Sequence, residues 1–98
     1  MLTGPHGRAV RGWLRERITL AQAEAHYAAL ERATLTLLGK TGGWLPDFQK
    51  WIAEEMLPGD ELWFYDSGPE AWVHLHGEKG IALVRDGHVA ANRKDCMN

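Results

Sequence analysis

The sequence predicts an α+β domain in which a helical hairpin packs on a small three-stranded sheet, with the element order α-α-β-α-β-β. Three observations support this fold class. One long segment, rich in Ala and Leu, has apolar residues three and four positions apart, as amphipathic helices do. Residues 62–65 are aromatic-rich and typical of a strand. The dipeptide Asp86-Gly87, between two apolar segments, favours a two-residue hairpin turn.

The length of the chain limits its organisation. Its 98 residues suffice for one hydrophobic core but not for two independent ones, which predicts a single domain over residues 1–98. Hydrophobic residues make up 45% of the chain and charged residues 24%, which is typical of globular proteins and argues against general disorder. We expect a flexible tail (1–9), a helical part (10–57) and a β-α-β-β part (60–94).

The helical part contains the strongest local signals. Residues 10–18 could form one or two helical turns. The main helix is predicted from Leu20 to Leu38, because Thr19 and Gln22 fit a capping box and Gly39 suits the helix end. A second helix is predicted after a loop over Lys40–Trp44, with Pro46 in its first turn and Pro58-Gly59 at its end. A short loop between two helices predicts an antiparallel hairpin.

The β part is predicted from a change of periodicity. A strand over 62–65 precedes a short helix, for which Ser67 and Glu70 have capping-box spacing. Strands are then expected over 81–85 and 88–92, the first of them central because it is apolar on both faces. The turn at Asp86-Gly87 sets the expected register. The predicted cross-strand pairs are Arg85–His88, Val84–Val89, Leu83–Ala90 and Ala82–Ala91.

Charge is distributed unevenly along the chain. The first 18 residues contain four arginines and one glutamate, whereas residues 47–76 contain seven acidic residues and one lysine. Such asymmetry favours contact with a charged macromolecule. No motif of a nucleotide-binding loop, nucleophile elbow or metal loop accompanies it, so we expect a protein that is not an enzyme and needs no cofactor.

The leading functional hypothesis is a protein-binding module with an acidic surface flanked by tryptophan. Such a surface fits a partner with a basic groove that normally holds nucleic acid. The predicted contact residues are Trp51, Glu54, Glu55, Asp60, Glu61 and Trp63.

Two alternatives use other residues. A nucleic-acid-binding accessory protein would contact phosphates through the N-terminal arginines, of which three share one face if the segment is helical. These arginines are Arg8, Arg11, Arg15 and Arg17. A small metal protein or enzyme would instead use His74, His76 and His88, although residues two apart lie on opposite sides of a helix.

Compartment and assembly also follow as expectations. The single cysteine, Cys96, excludes an intrachain disulfide, and the arginine-rich start does not resemble a signal peptide. No stretch is long and apolar enough for a membrane span. We therefore expect a cytoplasmic protein without membrane contact. A homodimer formed through the long helix is an alternative to a monomer.

Part of the sequence resembles a known group of proteins. Residues 59–72 and 80–89, with the terminal Met97-Asn98, are similar to a segment of small uncharacterised bacterial and phage-borne proteins of unknown function. The resemblance covers about 40 residues and implies a shared C-terminal α/β unit of microbial or mobile-element origin. It implies no catalytic residues. In the phage context that the resemblance implies, the concrete version of the leading hypothesis is a phage or mobile-element inhibitor of a host defence complex, similar in action to an anti-CRISPR protein. Because residues 92–95 are polar here, the last strand is expected to be shorter than in that group.

Overall fold

The computed structural model describes residues 11–40, 42–75 and 77–97, and these form three α-helices, a 3₁₀ turn and one four-stranded antiparallel sheet. The α+β class is therefore confirmed, whereas the predicted tail over residues 1–9 lies outside the described part. The chain divides into a helical unit, Thr19–Leu57, and a sheet unit formed by the flanking segments before and after it. Each unit is described by itself.

The helical unit begins with α1, Leu20–Leu38, which has the predicted bounds. Thr19 Oγ1 accepts the Gln22 N–H at 3.1 Å and the Gln22 side chain accepts the Thr19 N–H at 2.8 Å, so the capping box is present. Gly39 ends the helix in the left-handed conformation at φ 71°. No helix in the described residues is long and apolar enough to cross a membrane.

The second helix, α2, spans Trp44–Glu55, so Pro46 lies in its first turn as predicted, but the helix already begins at Trp44, which was predicted to end the loop. The Glu31 carboxylate of α1 explains this extra length, since it accepts the backbone N–H groups of Gly42 and Trp44, each at 3.0 Å. A carboxylate at a helix N-terminus satisfies free N–H groups and opposes the positive end of the helix dipole.

The two helices run antiparallel, as predicted. Near the connecting loop the Trp44 indole N–H donates to Thr34 at 3.0 Å, and further from the loop Gln49 donates to Glu24 at 3.4 Å. Contacts that advance along α2 while receding along α1 define antiparallel packing.

An aromatic cluster forms the core between these helices. Tyr27 is fully buried, stacks on Trp44 with centroids 6.3 Å apart, and contacts Phe48 at 4.7 Å. Trp51 is buried beside Phe48 at 6.2 Å. Large rings supply much of the buried area of a small unit, so Trp51 has a structural role here.

The sheet unit contains β1 (Leu14–Ile18), β2 (Glu61–Asp66), β3 (Glu78–Arg85) and β4 (His88–Met97) in the spatial order β1-β2-β3-β4. The short helix α3, Pro69–Val73, connects β2 to β3. Strand β3 is internal and buried along most of its length, as its apolar sequence predicted.

The prediction of three strands was wrong, because residues predicted to be helical form a fourth. Arg11–Trp13 is a 3₁₀ turn, and Leu14–Ile18 is strand β1, paired antiparallel with β2. Apolar residues four apart, Leu14 and Ile18, fit a helix locally, yet they lie opposite Tyr65 and Leu62 in the sheet. Long-range pairing here overrides the local pattern.

The last strand also differs from its prediction. The turn at Asp86-Gly87 and the first two pairs are confirmed, but Leu83 lies opposite Ala91 instead of Ala90. A bulge, with Ala90 as the extra residue of β4, shifts the register by one. The strand continues to Met97 although its sequence is polar, because backbone pairing with β3 does not require apolar side chains.

The N-terminal cap of α3 differs from the predicted one. Gly68 is the N-cap and no side chain caps the helix, so the predicted capping box of Ser67 and Glu70 does not form. The Ser67 hydroxyl instead accepts the Glu78 N–H at 3.0 Å, which joins the end of β2 to the start of β3. The hydrogen-bond partner of Ser67 thus lies in β3, eleven residues away in sequence, so the local sequence did not reveal it.

Candidate functional site

The predicted acidic surface is divided between the two units. Glu54 and Glu55 are the last residues of α2 and are exposed. Asp60 and Glu61 belong to the sheet unit, where each has a partner within that unit. The four carboxylates therefore differ in how far they are available to another molecule.

Asp60 is an internal carboxylate. Its side chain is only 1% exposed and accepts two hydrogen bonds from Arg85, from Nε at 2.9 Å and from Nη2 at 2.7 Å. This bidentate, charge-assisted geometry is among the stronger polar interactions in proteins. The pair fixes the start of β2 to the end of β3, and the charge of Asp60 is neutralised within the fold.

Glu61 and Trp63 are joined to each other. The Trp63 indole N–H donates to Glu61 Oε1 at 2.9 Å, and the other carboxylate oxygen lies 3.6 Å from Arg17. Both Glu61 and Trp63 are half-buried. Exposed ion pairs such as the one with Arg17 contribute little to stability. Of the predicted contact residues, Glu54 and Glu55 are thus the most accessible.

The arginines do not form the expected helical face. Arg11 donates to the Gly87 carbonyl at the β3–β4 turn, Arg15 donates to the Gly12 carbonyl at 3.2 Å, and Arg17 pairs with Glu61. Arg8 lies outside the described residues. A phosphate-binding role for this segment stays a hypothesis, and three of its cations have partners within the sheet unit.

The histidines of the metal-site alternative lie on different elements. His74 is exposed at the end of α3, and His88 is exposed at the start of β4. His76 lies outside the described residues. Within the described part of the chain, no three His, Cys, Asp or Glu side chains group closely enough to hold a metal ion.

A buried polar network lies in the sheet. The Tyr65 hydroxyl donates to Glu78 at 2.7 Å and accepts a hydrogen bond from Asn92 at 3.0 Å. Burial raises the pKa of Tyr65 and the hydrogen bond to Glu78 raises it further, against a lowering by Asn92. The ring of Trp13 stacks on Tyr65 at 6.3 Å. A phenol held in its protonated form, under an indole, suits a structural role.

A second polar arrangement lies at the surface, around α3. Asp66 Oδ1 accepts the Gly68 N–H at 2.8 Å and the Trp72 indole N–H at 2.9 Å. The hydrogen bond from Gly68 lowers the pKa of Asp66 most; partial burial opposes it, and Trp72, Arg15 and Lys79 lower the pKa further. This carboxylate stays charged at neutral pH and orients the indole beside it.

The Trp72 ring is also fixed from its other side. A Cβ on Gly77 would lie 2.1 Å from the ring, so only glycine fits there. The sequence predicted the short helix that contains Trp72, but it did not predict the hydrogen bond between Trp72 and Asp66. The signal was present, since Asp-x-Gly is typical of a turn in which the carboxylate accepts a backbone N–H two residues later.

Comparisons with protein families, with curated proteins and with solved structures find no match for this chain.

Proposed function

We propose that this chain is a non-enzymatic protein-binding module whose acidic helix end, Glu54 and Glu55, contacts a partner protein. The observation that carries the proposal is their position: both are exposed in the last turn of α2, which contains no basic residue. The final carbonyl groups of a helix bear partial negative charge, so a carboxylate there is unfavourable by about 0.3–1 kcal/mol. Selection for stability alone disfavours this placement.

The apolar part of the contact comes from leucines in this proposal. Trp51 is inside the helical core, so it does not serve as the anchor expected from the sequence. Leu57, which follows α2, is 53% exposed, and Leu20 is exposed at the start of α1. Because the helices are antiparallel, both leucines belong to the same end of the pair as Glu54 and Glu55. Apolar contacts contribute most of the energy of an interface, and charges mainly set its specificity and association rate.

The finer version of the proposal concerns the partner. Carboxylates are attracted by the same positive field that attracts nucleic-acid phosphates, so the acidic helix end suits a protein with a basic groove. An inhibitor of a host defence complex, which would occupy such a groove, is the form of this function that we propose. Asp60 takes no part in this version, because Arg85 neutralises it.

The test compares two charge reversals of equal size. The variant Glu54→Lys/Glu55→Lys changes the acidic helix end, and Glu16→Lys/Glu70→Lys changes two exposed acids of the sheet unit by the same charge. Each tagged protein is incubated with extract of the source cell, and the retained proteins are identified and then purified for affinity measurement. We expect the parent and the Glu16/Glu70 variant to bind one partner equally and the Glu54/Glu55 variant to lose it. Equal binding by all three would overturn the proposal.

A further inference from the structure

An irregularity in the edge strand β1 lies at Arg15. Leu14 pairs with Tyr65 and Glu16 with Phe64, the neighbouring residue, so β1 has one extra residue there. A β-bulge re-aims side chains, and bulges are frequent beside binding sites. The Nη2 atom of Arg15 lies only 3.5 Å from the place that a Cβ on Gly68 would occupy.

Arg15 forms one wall of an open groove beside α3, with a volume of about 640 Å³. The lining also includes apolar side chains, and one of them, Val73, is 76% exposed. Apolar lining with a few charged or polar groups is common in ligand-binding sites. The groove is lined by Arg15, Asp66, Gly68, Pro69, Trp72 and Val73.

The groove is organised before any ligand arrives. The indole of Trp72 is held between Asp66 and Gly77, and Arg15 is oriented by its hydrogen bond to the Gly12 carbonyl at 3.2 Å. Oδ1 of Asp66 accepts two N–H groups of the fold, and its negative charge in the groove interacts favourably with Arg15 and Lys79. Preorganised groups lose little conformational freedom on binding.

The backbone after α3 supports a use for this surface. Leu75, 71% exposed, adopts a left-handed conformation at φ 62°, which is unusual for a residue with a branched side chain. Two exposed apolar side chains, Val73 and Leu75, thus lie two residues apart, and the second has an uncommon backbone conformation. Such conformations cost free energy and are concentrated at functional sites.

We propose that this groove binds the C-terminal residue of a partner peptide, with its terminal carboxylate on Arg15 and its apolar side chain against Trp72 and Val73. A C-terminal residue carries its carboxylate and its side chain on one Cα, so it can contact Arg15 and the apolar side chains at the same time. The planar guanidinium donates two parallel hydrogen bonds to a carboxylate, which gives charge complementarity with directional fit. This site is in the sheet unit and does not depend on the acidic helix end.

The indole N–H resonance of Trp72 provides a direct test by NMR. The probes are an acetylated tetrapeptide ending in leucine with a free carboxylate, the same peptide as its C-terminal amide, and sodium acetate. We expect the acid to shift the Trp72 signal with saturation and the amide to bind at least about tenfold more weakly. Acetate, which has no apolar side chain, should cause no saturable shift in the same range. No response to the acid, or equal responses to acid and amide or to acid and acetate, would overturn the proposal.

Two variants and one further peptide separate this proposal from a general charge effect. Arg15→Gln should remove the preference for the acid over the amide, whereas Arg17→Gln, on the same strand, should retain it. Unchanged signals of the other four tryptophans would show that Arg15→Gln is folded. An amidated peptide with an internal glutamate before leucine should bind no better than the simple amide. If it matched the free acid, or if Arg17→Gln lost the preference as Arg15→Gln did, terminal-carboxylate recognition would be wrong.

Discussion

At the scale of single residues, burial and partners decide what a charged side chain does. Asp60 and Glu54 are both acidic residues of the middle segment, and the sequence assigned them to one surface. The structure separates them, because Asp60 is buried against Arg85 while Glu54 is exposed in the last turn of α2. The partner of Asp60 is 25 residues away in sequence, so only the strand register reveals it.

Removal of the Asp60 carboxylate should therefore affect folding. We expect Asp60→Ala to lower the free energy of unfolding by about 1.5–3 kcal/mol, because Arg85 loses two charge-assisted hydrogen bonds. Glu54→Ala is the matched control and should change stability by less than about 0.5 kcal/mol. Urea denaturation measures both values. Equal stability of the two variants would show that the Asp60–Arg85 pair does not stabilise the fold.

The lowered pKa of Asp66 predicts that the stability of the protein depends on pH. Its pKa in the folded protein lies below the ordinary 3.8, so its charged form stabilises the fold above that pH. This contribution is lost as the pH falls through the lowered pKa. Asp66→Asn keeps an oxygen acceptor for Gly68 and Trp72 but removes the charge. The stability difference between parent and variant should thus shrink from pH 7 to pH 2, and a constant difference in thermal melts would contradict this account.

Gly77 predicts a steric effect on the indole of Trp72. In Gly77→Ala the added methyl group would clash with the Trp72 ring. Such overpacking should destabilise the protein by about 1–3 kcal/mol. Gly12→Ala is the control, since nothing lies within 4 Å of its added Cβ. The NMR signal of the Trp72 indole N–H should move in the first variant and stay in the second. An unmoved signal in Gly77→Ala would show that the ring is not held there.

At the scale of elements, predictions succeeded where the signal was local. Helix α1 has its predicted bounds because the Thr19–Gln22 capping box and Gly39 act within one turn of its ends. The Asp86-Gly87 turn likewise follows from its own two residues. Strand β1 and the bulge in β4 depend on pairing with distant strands, which one sequence does not display. The groove beside α3 was missed for the same reason, since Arg15 reaches it from β1.

The capping box gives a test at this scale. Thr19→Ala removes the acceptor of the Gln22 N–H and should cost about 0.5–2 kcal/mol. Thr36→Ala, at an exposed position inside the same helix, should cause no loss because alanine is the better helix former. Far-ultraviolet circular dichroism during thermal unfolding compares the two. A similar loss of stability in both variants would mean that the cap does not stabilise α1.

At the scale of the whole molecule, the chain combines a helical unit and a sheet unit, each with its own exposed feature. The helical unit has the acidic helix end next to an exposed leucine, Leu57, and the sheet unit has the groove that contains Arg15. The acidic helix end carries carboxylates, whereas the groove contains both the cation Arg15 and the carboxylate Asp66 beside apolar side chains. We infer that they address different groups on partner molecules, with the acidic helix end responsible for the main protein contact.

The association rate with the purified partner tests this central claim most directly. Charges at an interface act mainly on the rate of encounter, and salt screens their effect. For the parent and for Glu16→Lys/Glu70→Lys, we predict a rate constant that falls steeply as salt rises. For Glu54→Lys/Glu55→Lys, we predict a slower rate at low salt that changes little or increases with added salt. If the Glu54/Glu55 variant associates as fast as the parent and shows the same salt dependence, the acidic helix end is not the binding surface.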